Sequence, residues 1–395
     1  MLPSPDFTAA VGCRALARLS VAIVGLTLAL AGCDRSRAGH TWRESPDSLG
    51  FRSITGLASA CTECIELTPM ATLGNDSGPG FLEDNGTLDY LVRDRAGRYW
   101  VGQRGNIKVY APDGKFLTTV GRRGQGPLEF EFAQPVQVDS QGRVHVMDVR
   151  LRRETIIKPD FSWESDRRLA ASFDDVAVLP GEQHRYVFSQ GISTPDRLGY
   201  PLHIVSGENI IRSFGLSPRA DTSAVTPAGS RRLVSVTPDG YALSSMIDEY
   251  VVEAWTVDGA RVAGFELPGL NPTAVRAGSW AWDNPPPNHV GDIAYHGERF
   301  LIIVTRHRRP DWKDRVVERV LPNGVPYLGA VDGKVPSVFR SRLDMLDLNT
   351  ATVVASTWYD GWIMRFVEPD LLLRLTYSAE DEPLLQVLRL TYRTN

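Results

Sequence analysis

Three stretches of the chain carry residue types that could do chemistry. In "SACTECIEL", Cys61 and Cys64 form a C-x-x-C, the spacing of half a zinc site, of a thioredoxin-like redox pair or of a short disulfide. Zinc needs two further Cys or His ligands at metal spacing and the redox pair needs a βαβ setting, and neither is in view. A small structural disulfide in an oxidising compartment is therefore expected. The stretch "GRRGQGPLEF", Gly121 to Phe130, follows an apolar run and has the glycine content of a phosphate cradle. A dinucleotide loop is spaced G-x-G-x-x-G and opens a helix, and a P-loop needs Gly-Lys-Ser/Thr. Here Pro127 and Pro135 argue against a following helix. The third stretch, His307 to Arg340, interrupts an otherwise regular pattern and carries Arg308, Arg309, Trp312, Lys313 and Arg315. Cations beside aromatic rings can grip anionic or carbohydrate-like ligands, so Arg308, Arg309 and Trp312 are the candidate partner contacts. Trp280 and Trp282 in "SWAWDNPPP" precede the same region.

Other chemistries lack their local signatures. There is no G-x-S-x-G, no H-E-x-x-H, and "DLNTATVVASTW" has neither the glycine nor the closing Glu of a calcium loop. The seven histidines are scattered singly, and His145, His203 and His296 are expected to serve packing or surface roles. No catalytic residue, cofactor or metal ligand set is legible. The net charge of -4 is spread along the chain without a basic stripe, so a nucleic-acid partner is not expected.

The elements that must carry these residues begin after an address. Arg14 and Arg18 precede the apolar run Val21 to Leu30, about half the length needed to cross a bilayer, which reads as a signal peptide over 1–32. The junction "LAGC" resembles the lipobox of bacterial lipoproteins, which implies that Cys33 becomes the acylated first residue of the mature chain. Two or more acyl chains anchor stably where one does not. The polar segment up to residue 60 reads as a tether, leaving 61–395 as the folded domain.

That domain is written in short apolar runs punctuated by Gly, Pro and Asp, without a long helical period. Tight turns recur at "DRAG" (94–97), "DSQG" (139–142), "LPGE" (179–182), "TPDG" (237–240), "YHGE" (295–298) and "EPD" (368–370). A second class follows at "PDG" (112–114), "PDF" (159–161), "SGE" (206–208), "VDG" (257–259) and "LNT" (348–350). Gly97 and Gly142 are 45 residues apart (142 − 97), the length of a four-stranded propeller blade. An all-β, six-bladed β-propeller follows. "GRRGQGP" then joins two blades, "TLGNDSGPG" is an earlier connector, and Ile65 to Gly74 is a fourth strand that closes the last blade beside Leu384 to Tyr392.

The chain resembles the six-bladed β-propeller lipoproteins of bacteria, relatives of the NHL-repeat group. The resemblance rests on "GRRGQGPLEF...PVQVDSQGRVHVMD", "VYAPDGKFLTTVG", the lipobox, the C-x-x-C and "RLDMLDLNTATVVAS". It implies a lipid-anchored, monomeric domain facing the periplasm or the cell surface. The leading functional expectation is a membrane-anchored binding or scaffold propeller whose loop face contacts a protein, peptide or glycan. The alternative is an NHL-type lyase or lactonase-like hydrolase with a metal in the central channel. Three or more His, Asp or Glu side chains converging at one channel mouth would favour the alternative.

Overall fold

The computed structural model describes residues 51–84, 88–181, 185–190, 197, 199–215, 232–267 and 280–393. Cys33, the expected lipidation site, and residues 1–32, the expected signal segment, lie outside the described residues.

The recurring turns fold as hairpins for a local reason. Asp94 accepts the N–H groups of Ala96 and Arg98 at 3.0 and 2.9 Å, and Asp139 repeats this with Gln141 and Arg143 at 2.8 and 2.9 Å. The carboxylate replaces a backbone acceptor and lets the glycine take the left-handed step. Strands between the turns bury both faces, as the "FLIIV" run of Phe300–Arg308 shows, because each sheet is sandwiched between two neighbours.

Six four-stranded antiparallel sheets result, each beginning with a strand that lies beside the first strands of adjacent sheets. Blade 1 runs from Leu91–Arg93 to Phe116–Val120, blade 2 from Gln134–Val138 to Trp163–Arg168, and blade 3 from Asp175–Val178 to Asn209–Phe214. Blade 4 runs from Arg232–Val236 to Arg261–Glu266 and blade 5 from His289–His296 to Thr352–Tyr359. Blade 6 takes Trp362–Glu368, Leu371–Tyr377 and Pro383–Tyr392 from the C-terminal end and Ile65–Leu73 as its outer strand. Ile65 pairs with Tyr392 and Leu73 with Leu385, so the expected closure is present. This is a six-bladed β-propeller.

Side chains of the innermost strands tie blade to blade. Asp175 of blade 3 accepts the Val234 N–H of blade 4 at 2.9 Å, and Asp292 of blade 5 accepts the Phe366 N–H of blade 6 at 2.6 Å. Apolar side chains fill the wedges between blades: Leu73, Leu373 and Leu385 of blade 6 pack with Leu91, Val101 and Tyr110 of blade 1.

Residues 51–60 are not a tether. Arg52–Ser53 pairs in parallel with the outer strand of blade 4, and the Ile54 N–H bonds to Glu266 O at 2.7 Å. Thr55 and Cys61 then bridge to Thr352 and Ala355 on the outer strand of blade 5. The segment covers edges that would otherwise present unpaired backbone groups, which is why it belongs to the domain despite its polar sequence.

Candidate functional site

In each four-stranded antiparallel blade the innermost strand starts on the same face on which the second strand ends and the third begins. Around the axis on this face lies a cavity of about 240 Å³, lined by residues including Asp84, Asp89, Asp174, Asp175, Asp292, Arg306 and Arg365. A second cavity of about 280 Å³ opens from the other face, and Asp292 and Arg365 line both. These two residues therefore form the waist of the channel.

Charge in the waist is paired. Arg365 donates to Asp175 Oδ1 at 3.2 Å, and its guanidinium lies 5.4 Å from the Tyr90 ring centroid. Burial pushes the Asp292 carboxyl up to about 7, opposed by Arg365 and reinforced by Asp175. Asp89 is raised as well, by burial first, with Arg365 lowering it. Arg306 is committed to the wall: it donates to Ile363 O and Met364 O at 3.1 and 2.6 Å and lies 4.2 Å over Trp362. Five carboxyl groups face two engaged guanidinium groups, which makes the funnel acidic. Such a lining suits a cationic or hydroxyl-rich group. A guanidinium holds the centre of the cluster, and among the described residues no three His, Cys, Asp or Glu side chains gather in a metal-holding group. The lining does not fit the channel metal that the lyase or hydrolase alternative would use.

The aspartates were missed in the sequence because they come from three blades, and only the ring brings them together. A signal exists in retrospect: Asp89 in "TLDY", Asp174 and Asp175 in "SFDD" and Asp292 in "VGDI" all stand at or just before an innermost strand.

The third sequence candidate lies on the same face. The blade strands reach Arg308 and resume at Phe339, so the interruption is 309–338, and it is folded. A 3-10 turn at Trp312–Arg315 leads into a hairpin of Val316–Val320 and Pro326–Ala330, followed by a second 3-10 turn at Val335–Val338. Trp312 is only 9% exposed and packs with Val316, Leu328, Val338 and Phe339. Trp362 of the funnel lining touches this cluster, so insertion and channel mouth share a wall. Arg309 pairs with Asp360 and Asp311, while the Arg308 guanidinium reaches Pro286 O at 3.3 Å and lies 5.9 Å from the Trp312 ring centroid. The three residues hold the insertion down. What the insertion presents outward is Val317, Val320, Val325, Val331 and Val335, five of the eleven exposed large hydrophobic side chains among the described residues.

The remaining candidates are engaged within the chain itself. Cys61 and Cys64 are joined by a disulfide, with Cα atoms 5.5 Å apart. The connector "GRRGQGP" holds the chain's own carboxylate: Glu129 accepts the Gln125 and Gly126 N–H groups at 3.0 and 2.8 Å. Gly121 has φ 78°, and a Cβ there would meet Leu128 O at 2.6 Å, so close approach explains the glycine. His145 is buried against Glu154 at 2.7 Å, His203 is bonded to Ser213 and Gln190 O, and His296 lies near Pro369 O at 3.1 Å.

Comparisons with known proteins agree on the fold. Residues 89–255 match a family described as a 6-bladed beta-propeller. A protein of Bacteroides fragilis described as exported is similar in structure, with TM-score 0.51 and 10% identity over 87% of this chain and all of that one. A DUF4221-family member of Bacteroides vulgatus has TM-score 0.50 and 9% identity over 83% of this chain and 99% of its own. Virginiamycin B lyase of Staphylococcus aureus has TM-score 0.42 and 12% identity over 82% of this chain and 99% of its own. No curated protein matches the chain.

Proposed function

We propose that the protein is a binding propeller of the bacterial cell envelope that engages a peptide or protein partner through its connector face. The observation that carries this reading is the insertion, which concentrates exposed valines beside an acidic funnel on one face. A photo-crosslinking residue at position 320 of the full-length protein should yield a discrete adduct. The same residue at Met70, exposed on an outer strand away from this face, should not. Absence of an adduct at 320 defeats the reading.

The envelope location is supported by the "LAGC" junction and by the structural likeness to a protein described as exported. Cys33→Ser is expected to release the protein from the membrane fraction with its melting curve intact.

A second reading is favoured by one observation: five aspartates converge at one channel mouth, and Asp292 sits near neutrality beside Arg365 and Asp175. A group poised there could transfer protons in a lyase or hydrolase reaction. Turnover of a candidate substrate that is lost in Asp292→Asn would establish it.

A further inference from the structure

The mode of contact can be read from the hairpin's backbone, granted that the insertion is the contact surface. Val316 lies opposite Ala330 and Val320 opposite Pro326. Leu321 N–H donates to Val325 O and Val331 N–H to Arg315 O, both at 2.9 Å. Odd-numbered residues of Val316–Val320 thus turn their backbone groups toward the partner strand. The even-numbered ones, Val316, Glu318 and Val320, turn theirs outward.

The two outer edges of the hairpin differ. On the second strand, Leu328 N–H is taken by Trp280 O at 2.7 Å, and Pro326 has no N–H to offer. On the first strand, among the described residues, nothing accepts the outward N–H groups of Glu318 and Val320. Every residue from Val317 to Val320 is exposed, Val320 at 65%. An open edge with β-branched side chains is a template for another strand.

We propose that this edge receives an extended peptide of a partner protein as a third, antiparallel strand. The side chains define the peptide's chemistry. Opposite Val320, Arg319, Glu318 and Val317 it reads, from its N-terminus, apolar, acidic, basic, apolar. A second copy of this chain does not fit. Twofold pairing places the central residue opposite itself, so a centre at 318 sets Glu against Glu, and one at 319 sets Arg against Arg. A centre at 317 sets Arg315 against Arg319, and a centre at 320 has only the turn at 321–324 left to pair.

The test uses full-length protein and a fluorescein-labelled probe, Ser-Thr-Val-Asp-Lys-Val-Thr-Ser, followed by anisotropy. A comparator has Asp and Lys exchanged, and should bind about tenfold more weakly, since two opposite-charge pairs become like-charge pairs. The variant carrying both Glu318→Arg and Arg319→Glu should reverse that preference. Val320→Pro removes an outward N–H while sparing the bonds of Arg319 and Leu321, and should abolish binding of both peptides with an unchanged melting temperature. Equal affinity for the two peptides, no binding of either, or binding that survives Val320→Pro overturns the proposal. So does a concentration-dependent dimer that Val320→Pro disperses. If the adduct at position 320 forms while the peptide assays fail, strand addition is wrong and the contact surface stands. If the adduct is missing, the contact surface itself is wrong.

Discussion

Arg365 and Asp175 meet across the channel at 3.2 Å although 190 positions separate them in sequence. Asp175 also holds the Val234 N–H with its other oxygen, so one carboxylate joins blades 3, 4 and 6. The funnel's acidity and the ring's integrity therefore depend on the same few atoms.

Removal of that guanidinium leaves Asp89, Asp175 and Asp292 together with only Arg306, itself committed to the Ile363 and Met364 carbonyls, as a neighbouring cation. Arg365→Met is expected to destabilise the domain by about 3–5 kcal/mol at neutral pH, the range for a broken buried pair. The loss should shrink at pH 5, where protonation relieves the repulsion. Denaturant unfolding at the two pH values measures it, and an equal loss at both would mean that Arg365 acts through packing alone.

Asp292 carries a pH signature of its own. Its folded pKa, pushed up to about 7 by burial, lies above the unfolded value of 3.8, so the folded state binds the proton more tightly. Between those values stability falls as pH rises, and above about 7 it levels off. Asp292→Asn keeps an acceptor for the Phe366 N–H and should flatten the fall, gaining on the parent at pH 8 relative to pH 5. Melting temperatures across pH 5 to 8 decide this, and parallel profiles would refute the assignment.

What could be read from the sequence was whatever repeats or closes locally. The Asp-x-x-Gly turns recur because each hairpin needs the same backbone reversal, and Ile65–Leu73 announced itself as a strand with no blade before it. The funnel is different, since Asp89, Asp175, Asp292 and Arg365 sit in unlike local contexts and acquire meaning only from ring geometry. The insertion was located correctly but its outward face was not. Cations and tryptophan drew attention, whereas Trp312 fills the base and the valines of a plain β-pattern face solvent.

Trp312 is now expected to act on stability before binding. Trp312→Ala removes the ring around which Val316, Leu328 and Val338 pack, a truncation in the class that costs about 3–5 kcal/mol in a core. The damage should stay within the insertion, because the blade 5 strands on either side keep their full pairing. Hydrogen exchange should show loss of protection over 309–338 with the blades unchanged, and an unaffected insertion would remove Trp312 from its structural role.

The Cys61–Cys64 disulfide sits where the N-terminal segment leaves blade 5 and turns into the outer strand of blade 6. In the chain-entropy account, so short a loop contributes about 2 kcal/mol, less than a long one. Reduction is therefore expected to lower the melting temperature modestly without opening the ring, since Ile65–Leu73 keeps its ladder to Pro383–Tyr392.

Deleting that strand is another matter. Without residues 65–74 the Pro383–Tyr392 edge loses its partner, and Leu73, fully buried between blades 6 and 1, leaves its space empty. The ladder joins the two ends of the folded chain, so nothing local replaces it. The truncated protein is expected to aggregate through the exposed edge or to lose cooperative unfolding. Separate addition of a peptide spanning 61–76 should restore solubility, because the edge it fills is otherwise intact. A truncated protein that is monomeric and melts like the parent would show that closure by this strand does not hold the ring.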